Sequence, residues 1–181
     1  MDVKIRPMEA DDWSEIVEIF FQGVQSNMAT FEYNCPSYEE WDKEHLPYCR
    51  LVADAGREVV AWAALKPFSD KEWYNGVAEL SIFVDNDHSG TDLGQVLLNA
   101  LVNEAVQIGI WSLQSSILQE NQAGIALHES CGFRRVGYRE RLGKDRFGVW
   151  RSVVIMEYRI QTDKAGGCDC DMVKNTGSCS V

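Results

Sequence analysis

Between an apolar run and a helix-like pattern, the segment "ELSIFVDNDHSGTDLGQVLLNA" (residues 79–100) holds Ser89, Gly90, Thr91, Asp92, Leu93, Gly94 and Gln95. A strand, a glycine loop and a helix start in that order aim the first helical amides at one point. Those N–H groups have no intrahelical acceptor and the helix dipole adds partial positive charge, so the place suits a phosphate or pyrophosphate. Ser89 and Thr91 add hydroxyl donors. Asp92 opposes: a carboxylate about 4 Å from a phosphate costs up to ~4 kcal/mol at an effective dielectric of 20. Turned outward, the same side chain stabilises its own helix instead. Gly90 and Gly94 by themselves are also what an ordinary turn carries. A second chemistry-bearing stretch, "CDCDMVKNTGSC", holds Cys168, Cys170 and Cys179. Its C-x-C spacing is not that of a structural zinc site, so no metal is assigned. Adjacent thiolates suit a soft metal or metalloid ion, and a redox-labile extension fits the same residues.

The elements that must position these groups follow from periodicity. "VKIRP" alternates as a short strand. Asp12 with Glu15 has the form of a capping box ahead of Trp13, Ile16, Val17, Phe20 and Val24 at helical spacing. Ser37 with Glu40 marks a second helix start, and "YCRLVAD" with "EVVAWAALKP" across Gly56 reads as a hairpin. "VAELSIFV" is the next strand. From Leu93, the positions Val96, Leu97, Ala100, Leu101, Glu104 and Ala105 trace one stripe of a helix that Gly109 ends. "WSLQSSIL" is a strand, Asn121 opens a short helix, and "FRRVGYRERL" and "RSVVIMEYRI" close the sheet. The expectation is a mixed α/β (α+β type) domain over residues 1–160, with helices flanking a mixed sheet. Residues 161–181 form a Cys/Gly/Ser-rich tail outside the core.

A chain of 181 residues is long enough for one domain with a sizeable core. Its formal net charge of −11 repels polyanions, which argues against nucleic acid or an anionic membrane as partner. With no stretch of membrane-spanning length and no secretory pattern, a cytoplasmic setting is expected. Cys35, Cys49 and Cys131 then read as buried free thiols.

In sequence order, "IRPMEADDWSEIVEIF", "ATFE", "PSYEEW", "AELSIFV", "NQAGIALHESCGFRRVG" and "GVW" resemble the GNAT superfamily of acetyl-CoA-dependent N-acetyltransferases, nearest its phosphinothricin and amino-acid branch. The likeness runs from about Lys4 to Ile160. It implies a mostly antiparallel sheet of six to seven strands with one splayed pair. It also implies acetyl-CoA as co-substrate, a small amine as acceptor and, as in many relatives, a homodimer. The backbone of Ile82, Phe83 and Val84 would pair with the pantetheine arm, residues 89–95 would cover the pyrophosphate, and Asn121 would contact the cofactor near its reacting end. Glu79 matches the carboxylate serving as general base. His128 stands where many relatives place a tyrosine that protonates the departing thiolate, although a lone histidine on an apolar helix side is as often a packed core residue. Phe31, Glu32, Trp73, Tyr74, Asn75 and Trp150 match the acceptor pocket.

The chemistry agrees with those assignments. An ammonium has no lone pair, so a carboxylate must first take its proton. Glu79 has apolar neighbours in sequence, and desolvation there would raise its basicity. The acetyl carbonyl needs a preorganised donor, expected from a splayed-strand N–H near Phe83. The chain departs from its branch at Ser89 and Thr91, which replace basic or amide residues, and at Asp92, which replaces glycine. It departs again at Asn75, which replaces an arginine suited to a carboxylate or phosphinate. Those departures keep open two other readings: a non-catalytic GNAT-fold binding or regulatory protein, and a transferase carrying a thiol-rich metal-binding tail.

Overall fold

The computed structural model describes residues 3–56 and 58–160. The tail and its three cysteines lie outside the described residues. Seven strands form one sheet: β1 (Lys4–Pro7), β2 (Arg50–Asp54), β3 (Val59–Pro67), β4 (Val77–Val84), β5 (Ser112–Leu118), β6 (Arg134–Lys144) and β7 (Trp150–Arg159). Their order is β1-β2-β3-β4-β5-β7-β6, antiparallel throughout except for the parallel β4–β5 pair. Four α-helices cover it: α1 (Trp13–Ser26), α2 (Tyr38–Glu44), α3 (Leu93–Gln107) and α4 (Gln122–Ser130). The expected mixed sheet between helical layers is what the chain forms.

Two apolar clusters sandwich the sheet. On one face Leu97, Leu98, Leu101 and Ala105 of α3 and Ile125 of α4 pack with Ala78, Leu80, Leu113 and Met156. On the other, Ile16, Ile19 and Phe20 of α1 and Trp41 of α2 pack on Val52, Trp62 and Ala64, with Phe83 against them. Alternation along β4 therefore sends Glu79, Ser81 and Phe83 to the α1–α2 face and their neighbours to the α3–α4 face.

Local signals are obeyed unevenly. At α2 the Ser37 side chain accepts from the Glu40 N–H while Glu40 Oε2 accepts from the Ser37 N–H, at 3.3 and 2.9 Å, as the sequence predicts. Ahead of α1 the Asp12–Glu15 box does not form. Asp12 instead accepts from Glu9 N at 2.8 Å and takes both Arg6 terminal nitrogens, at 2.7 and 2.8 Å. A paired guanidinium satisfies the carboxylate more strongly than one amide would. On α3 the buried face is Leu97, Leu98, Leu101, Val102 and Ala105, whereas Val96 is 53% exposed. The predicted stripe is rotated by one position, because the helix buries two sheet-facing rows rather than one. Glu104 stays near that face by accepting from the N–H of Cys49, a residue in the left-handed region at φ 55°. Cys49 and Cys131 are buried free thiols and Cys35 is half-buried. No helix among the described residues is long and apolar enough to cross a membrane.

Candidate active site

The site begins where pairing stops. β4 and β5 are in register only at Val77–Ser112, Ala78–Leu113 and Glu79–Gln114. Beyond that, β4 keeps its ladder to β3 as far as Val84, and β5 keeps its ladder to β7 as far as Leu118. Each strand follows its outer neighbour and the two diverge, so the expected splay is present. The closed end is pinned by Gly76, whose carbonyl accepts from Trp111 N at 2.8 Å and Ser112 N at 3.1 Å. A Cβ on Gly76 would fall 1.9 Å from the Trp111 ring, so only glycine fits there.

Ladder alternation decides which main-chain groups face the opening. Asp85 N donates to Val60 O on β3, which turns odd-numbered residues of β4 toward β3. Gly76 O, turned toward β5, gives the same parity. The groups left without a ladder partner past Glu79 are therefore the carbonyl of Leu80 and both main-chain groups of Ile82 and Val84. The N–H of Phe83 itself is directed at β3; the free donors near it are those of Ile82 and Val84 on either side.

These edges bound a cleft of about 760 Å³ whose floor is Ser115–Leu118 of β5 and whose far wall is the start of α3 and α4. Of the predicted cofactor residues, Ile82, Phe83, Val84, Ser89, Gly90, Thr91, Asp92, Gly94, Gln95 and Asn121 line it; Leu93 turns instead into the α3 core. Gly90 adopts φ 77°, which lets the loop double back before the helix. Thr91 does not offer its hydroxyl proton to a ligand: it donates to His88 O at 2.7 Å and accepts from Leu93 N at 3.4 Å. Asp92 is exposed, makes no side-chain cap bond and accepts through its main-chain oxygen from Val96 N. Its carboxylate does not occupy the amides of Gly94 and Gln95, which remain free as first-turn donors. None of the described residues lining the cleft is lysine or arginine. A pyrophosphate here would be held by amides and the helix dipole alone. The residues fit such a ligand: an open strand edge for an amide-bearing arm, and a helix start for its phosphates.

Asn121 caps α4, its Oδ1 accepting from Gly124 N at 2.8 Å, which leaves its amide N–H groups to the cleft. His128 on the next turn is 2% exposed, and its Nδ1 donates to Gly124 O at 2.8 Å. That partner fixes the tautomer, so Nε2 carries a lone pair; buried and without a partner among the described residues, it lines the cleft as an acceptor. Burial pushes the imidazole pKa down. At neutral pH the ring therefore has no Nε2 proton to deliver to a thiolate.

Glu79 lies at the fork itself and lines the cleft. The burial expected from its apolar neighbours is absent: alternation turns it to the face opposite Ala78 and Leu80, and its side chain is exposed. Phe31 and Glu32 join it in the cleft wall, brought there by a tie between distant segments. Asp145, in the β6–β7 turn, accepts from Asn27 at the end of α1 and from Phe147 N, Val149 N and Arg151, all within 3.0 Å. The Asn27 amide, with those N–H groups and the guanidinium, holds its carboxyl well below the usual range. Phe31 packs on β6 at Gly143, where a Cβ would come within 3.1 Å of its ring. Trp73, Tyr74, Asn75 and Trp150 are exposed and do not line the cleft. They were placed there by the resemblance, and a local likeness in sequence does not report position. Gln22 was missed: it donates to Asp85 at 2.7 Å and accepts from Asn86 N at 2.8 Å, which anchors the loop start to α1.

Known proteins share this arrangement. Over 171 residues the chain is 28% identical to the L-methionine sulfoximine/L-methionine sulfone acetyltransferase of Pseudomonas aeruginosa, covering 91% of this chain and 99% of that one. It is 26% identical over 164 residues to the phosphinothricin N-acetyltransferase of Streptomyces coelicolor, covering 86% and 95%. The crystal structure of a GNAT superfamily phosphinothricin acetyltransferase from Sinorhizobium meliloti, solved in complex with AcCoA, superimposes with a TM-score of 0.80 at 25% identity, over 95% of this chain and 98% of that one. The profile of the acetyltransferase (GNAT) family matches residues 11–133, and with the forked β4–β5 pair and the amide-lined cleft in place, the chain belongs to that family as an N-acetyltransferase with acetyl-CoA as co-substrate.

Proposed function

We propose that the chain acetylates the primary amine of a small amino-acid-like molecule by direct transfer in a ternary complex, with Glu79 as general base. The observation that carries this is the place of Glu79 at the fork, the last β4 residue paired to β5. A carboxylate there meets the amine where the cofactor arm would end. Glu79 takes a proton from the ammonium, directly or through water, and frees the lone pair. A cleft-facing N–H of Ile82 or Val84 stabilises the carbonyl oxygen as charge develops on it. The departing sulfur receives the second proton, which the nitrogen sheds on becoming an amide, so no nucleophilic side chain and no proton from His128 is required. Leu80, Ile82 and Val84 hold the pantetheine arm; Gly94 and Gln95 hold the phosphates. The relatives named for methionine sulfoximine, methionine sulfone and phosphinothricin support an amino-acid-like acceptor.

A panel of amino acids and amines with acetyl-CoA, read by free thiol release, tests the reading. Glu79→Gln should lower turnover by roughly 100-fold or more with acetyl-CoA binding nearly intact. Equal turnover removes Glu79 from the mechanism.

The same reading keeps a homodimer and a cytoplasmic setting. β6 is an edge strand exposed along its length, and Tyr138, Phe147 and Trp150 stand 54%, 69% and 52% exposed at that end of the molecule. A second copy of the chain would cover them. Sedimentation at micromolar concentration should give twice the chain mass; a monomer there rejects the dimer. Free thiols at Cys35, Cys49 and Cys131 suit a reducing compartment.

A further inference from the structure

Across β4 from the cofactor cleft lies a second cavity, of about 510 Å³. Its walls are aromatic: Trp13 and Phe20 from α1, Trp41 from α2, Trp62 from β3 and Phe83 from β4. These rings brace one another, Trp62 stacking on Phe83 at 4.8 Å, with Trp41 at 5.4 Å from Trp13 and 6.3 Å from Trp62. Such a chamber is a room for an apolar stem. It holds one polar anomaly. Trp62 is only 4% exposed, and its indole N–H finds no acceptor among the described residues. A buried donor left unpaired is costly, and the open space it borders is where an acceptor can be brought to it.

The charge around the chamber has one sign. Glu32, Glu40 and Glu44 line it against a single lysine, Lys66, and that lysine is bound to Glu44 at 2.8 Å. His45, also in the wall, is neutral at pH 7, because burial pushes its pKa down to about 4. Among the described residues lining it, no free cation is offered to an anionic tip. The chamber also opens toward the chemistry, since Thr30, Glu32, Ser81 and Phe83 border both cavities. Ser81 is two residues beyond Glu79 on the same face, about 7 Å along the strand, a span that a side chain of four or five atoms covers.

We propose that this chamber receives the side chain of the acceptor and selects a neutral tip carrying a hydrogen-bond acceptor for Trp62 Nε1–H, against an anionic tip of the same shape. The proposal rests on the reading that places the acceptor amine beside Glu79. It assigns Trp62 a specificity role and separates two acceptor classes that the relatives' names leave together.

A matched set of amino acids tests it. L-Methionine sulfone and phosphinothricin share a skeleton, with a neutral sulfonyl in one and an anionic phosphinate in the other, and L-norleucine keeps the length with no acceptor. The wild-type chain should show kcat/KM for the sulfone about ten-fold or more above that for phosphinothricin. Trp62→Phe, which keeps a ring and removes the N–H, should cost about ten-fold with the sulfone and less than two-fold with norleucine. Unchanged norleucine turnover reports an intact fold, and the wild-type ratio stands even where the variant does not fold. Phosphinothricin turned over as well as the sulfone overturns the proposal, as does a folded Trp62→Phe variant that treats the two neutral substrates alike, which would mean that the sulfonyl does not accept from Trp62. Thiol release from none of the three, in either protein, removes the amino-acid transferase reading and this one with it. Release without discrimination removes this one alone.

Discussion

On one side of β4, the cleft is bounded by main chain: the open edge of Leu80, Ile82 and Val84 and the first amides of α3. On the other side, the chamber is bounded by side chains: three tryptophans, two phenylalanines and a ring of acids. Main-chain donors are present whatever the residue, so the cleft can keep its function with Ser89, Thr91 and Asp92 where relatives carry basic, amide or glycine residues. The chamber has no such tolerance. If it takes the acceptor as proposed, selectivity rests on individual rings and one indole N–H, and Asn75, the residue expected to betray acceptor preference, lies outside it. On the proposed reading, one strand carries a general cofactor site and a particular acceptor site on opposite flanks, with Glu79 between them.

The largest effect that sharpens this contrast is on stability in acid. His45 stacks on Trp41 at 4.0 Å and donates through Nδ1 to Trp41 O at 2.7 Å. Burial first, then the positive charges of Lys66 and Arg50, outweigh the Trp41 carbonyl and Glu44 and bring its pKa from 6.5 to about 4. The unfolded chain therefore binds a proton between pH 6.5 and pH 4 that the folded chain refuses. Stability contributed by the neutral ring is full above pH 6.5 and falls as pH drops through that window, by up to about 3 kcal/mol. Urea unfolding at pH 7 and pH 4.5 should show the loss, and His45→Phe should flatten the slope; His128 and the carboxylates held low, such as Glu40 and Glu44, supply what slope remains. An unaltered slope in the variant would mean that the chamber admits water and charge, and its contrast with the cleft would weaken.

The sequence disclosed those parts of the molecule that depend on neighbours in the chain. The Ser37–Glu40 cap, the β2–β3 hairpin across Gly56 and the Asn121 cap of α4 are each settled within a few residues. The cleft could be located only through resemblance, because its opening needs β5 to follow β7, some 40 residues away, rather than β4. Asp12 was misread for a similar reason: its partner Arg6 belongs to a strand, and no capping pattern contains it. The chamber was invisible. Trp13, Trp41 and Trp62 each look like ordinary core residues at their own positions, and only the packing of α1 and α2 on β3 places them around one space. Trp73, Tyr74 and Trp150 show the converse, aromatic residues with a family likeness whose place in the fold is solvent.

The smallest effect bears on the cleft. A carboxylate about 4 Å from a phosphate would cost up to ~4 kcal/mol in a half-buried setting, but Asp92 is exposed, and near the dielectric of water the same pair costs about 1 kcal/mol. Mobile ions screen it further. Asp92→Asn, which removes charge and keeps shape, should therefore tighten acetyl-CoA by about five-fold at low salt, with the gain shrinking as salt rises. Calorimetric titration reads both. A hundred-fold gain would mean that the carboxylate turns onto the phosphates, and the amides would then be holding the cofactor against a repulsion the fold does not relieve. No gain at low salt would move the pyrophosphate away from the start of α3 altogether, leaving Gly94 and Gln95 as ordinary first-turn amides and the open edge of β4 as the only hold on the cofactor.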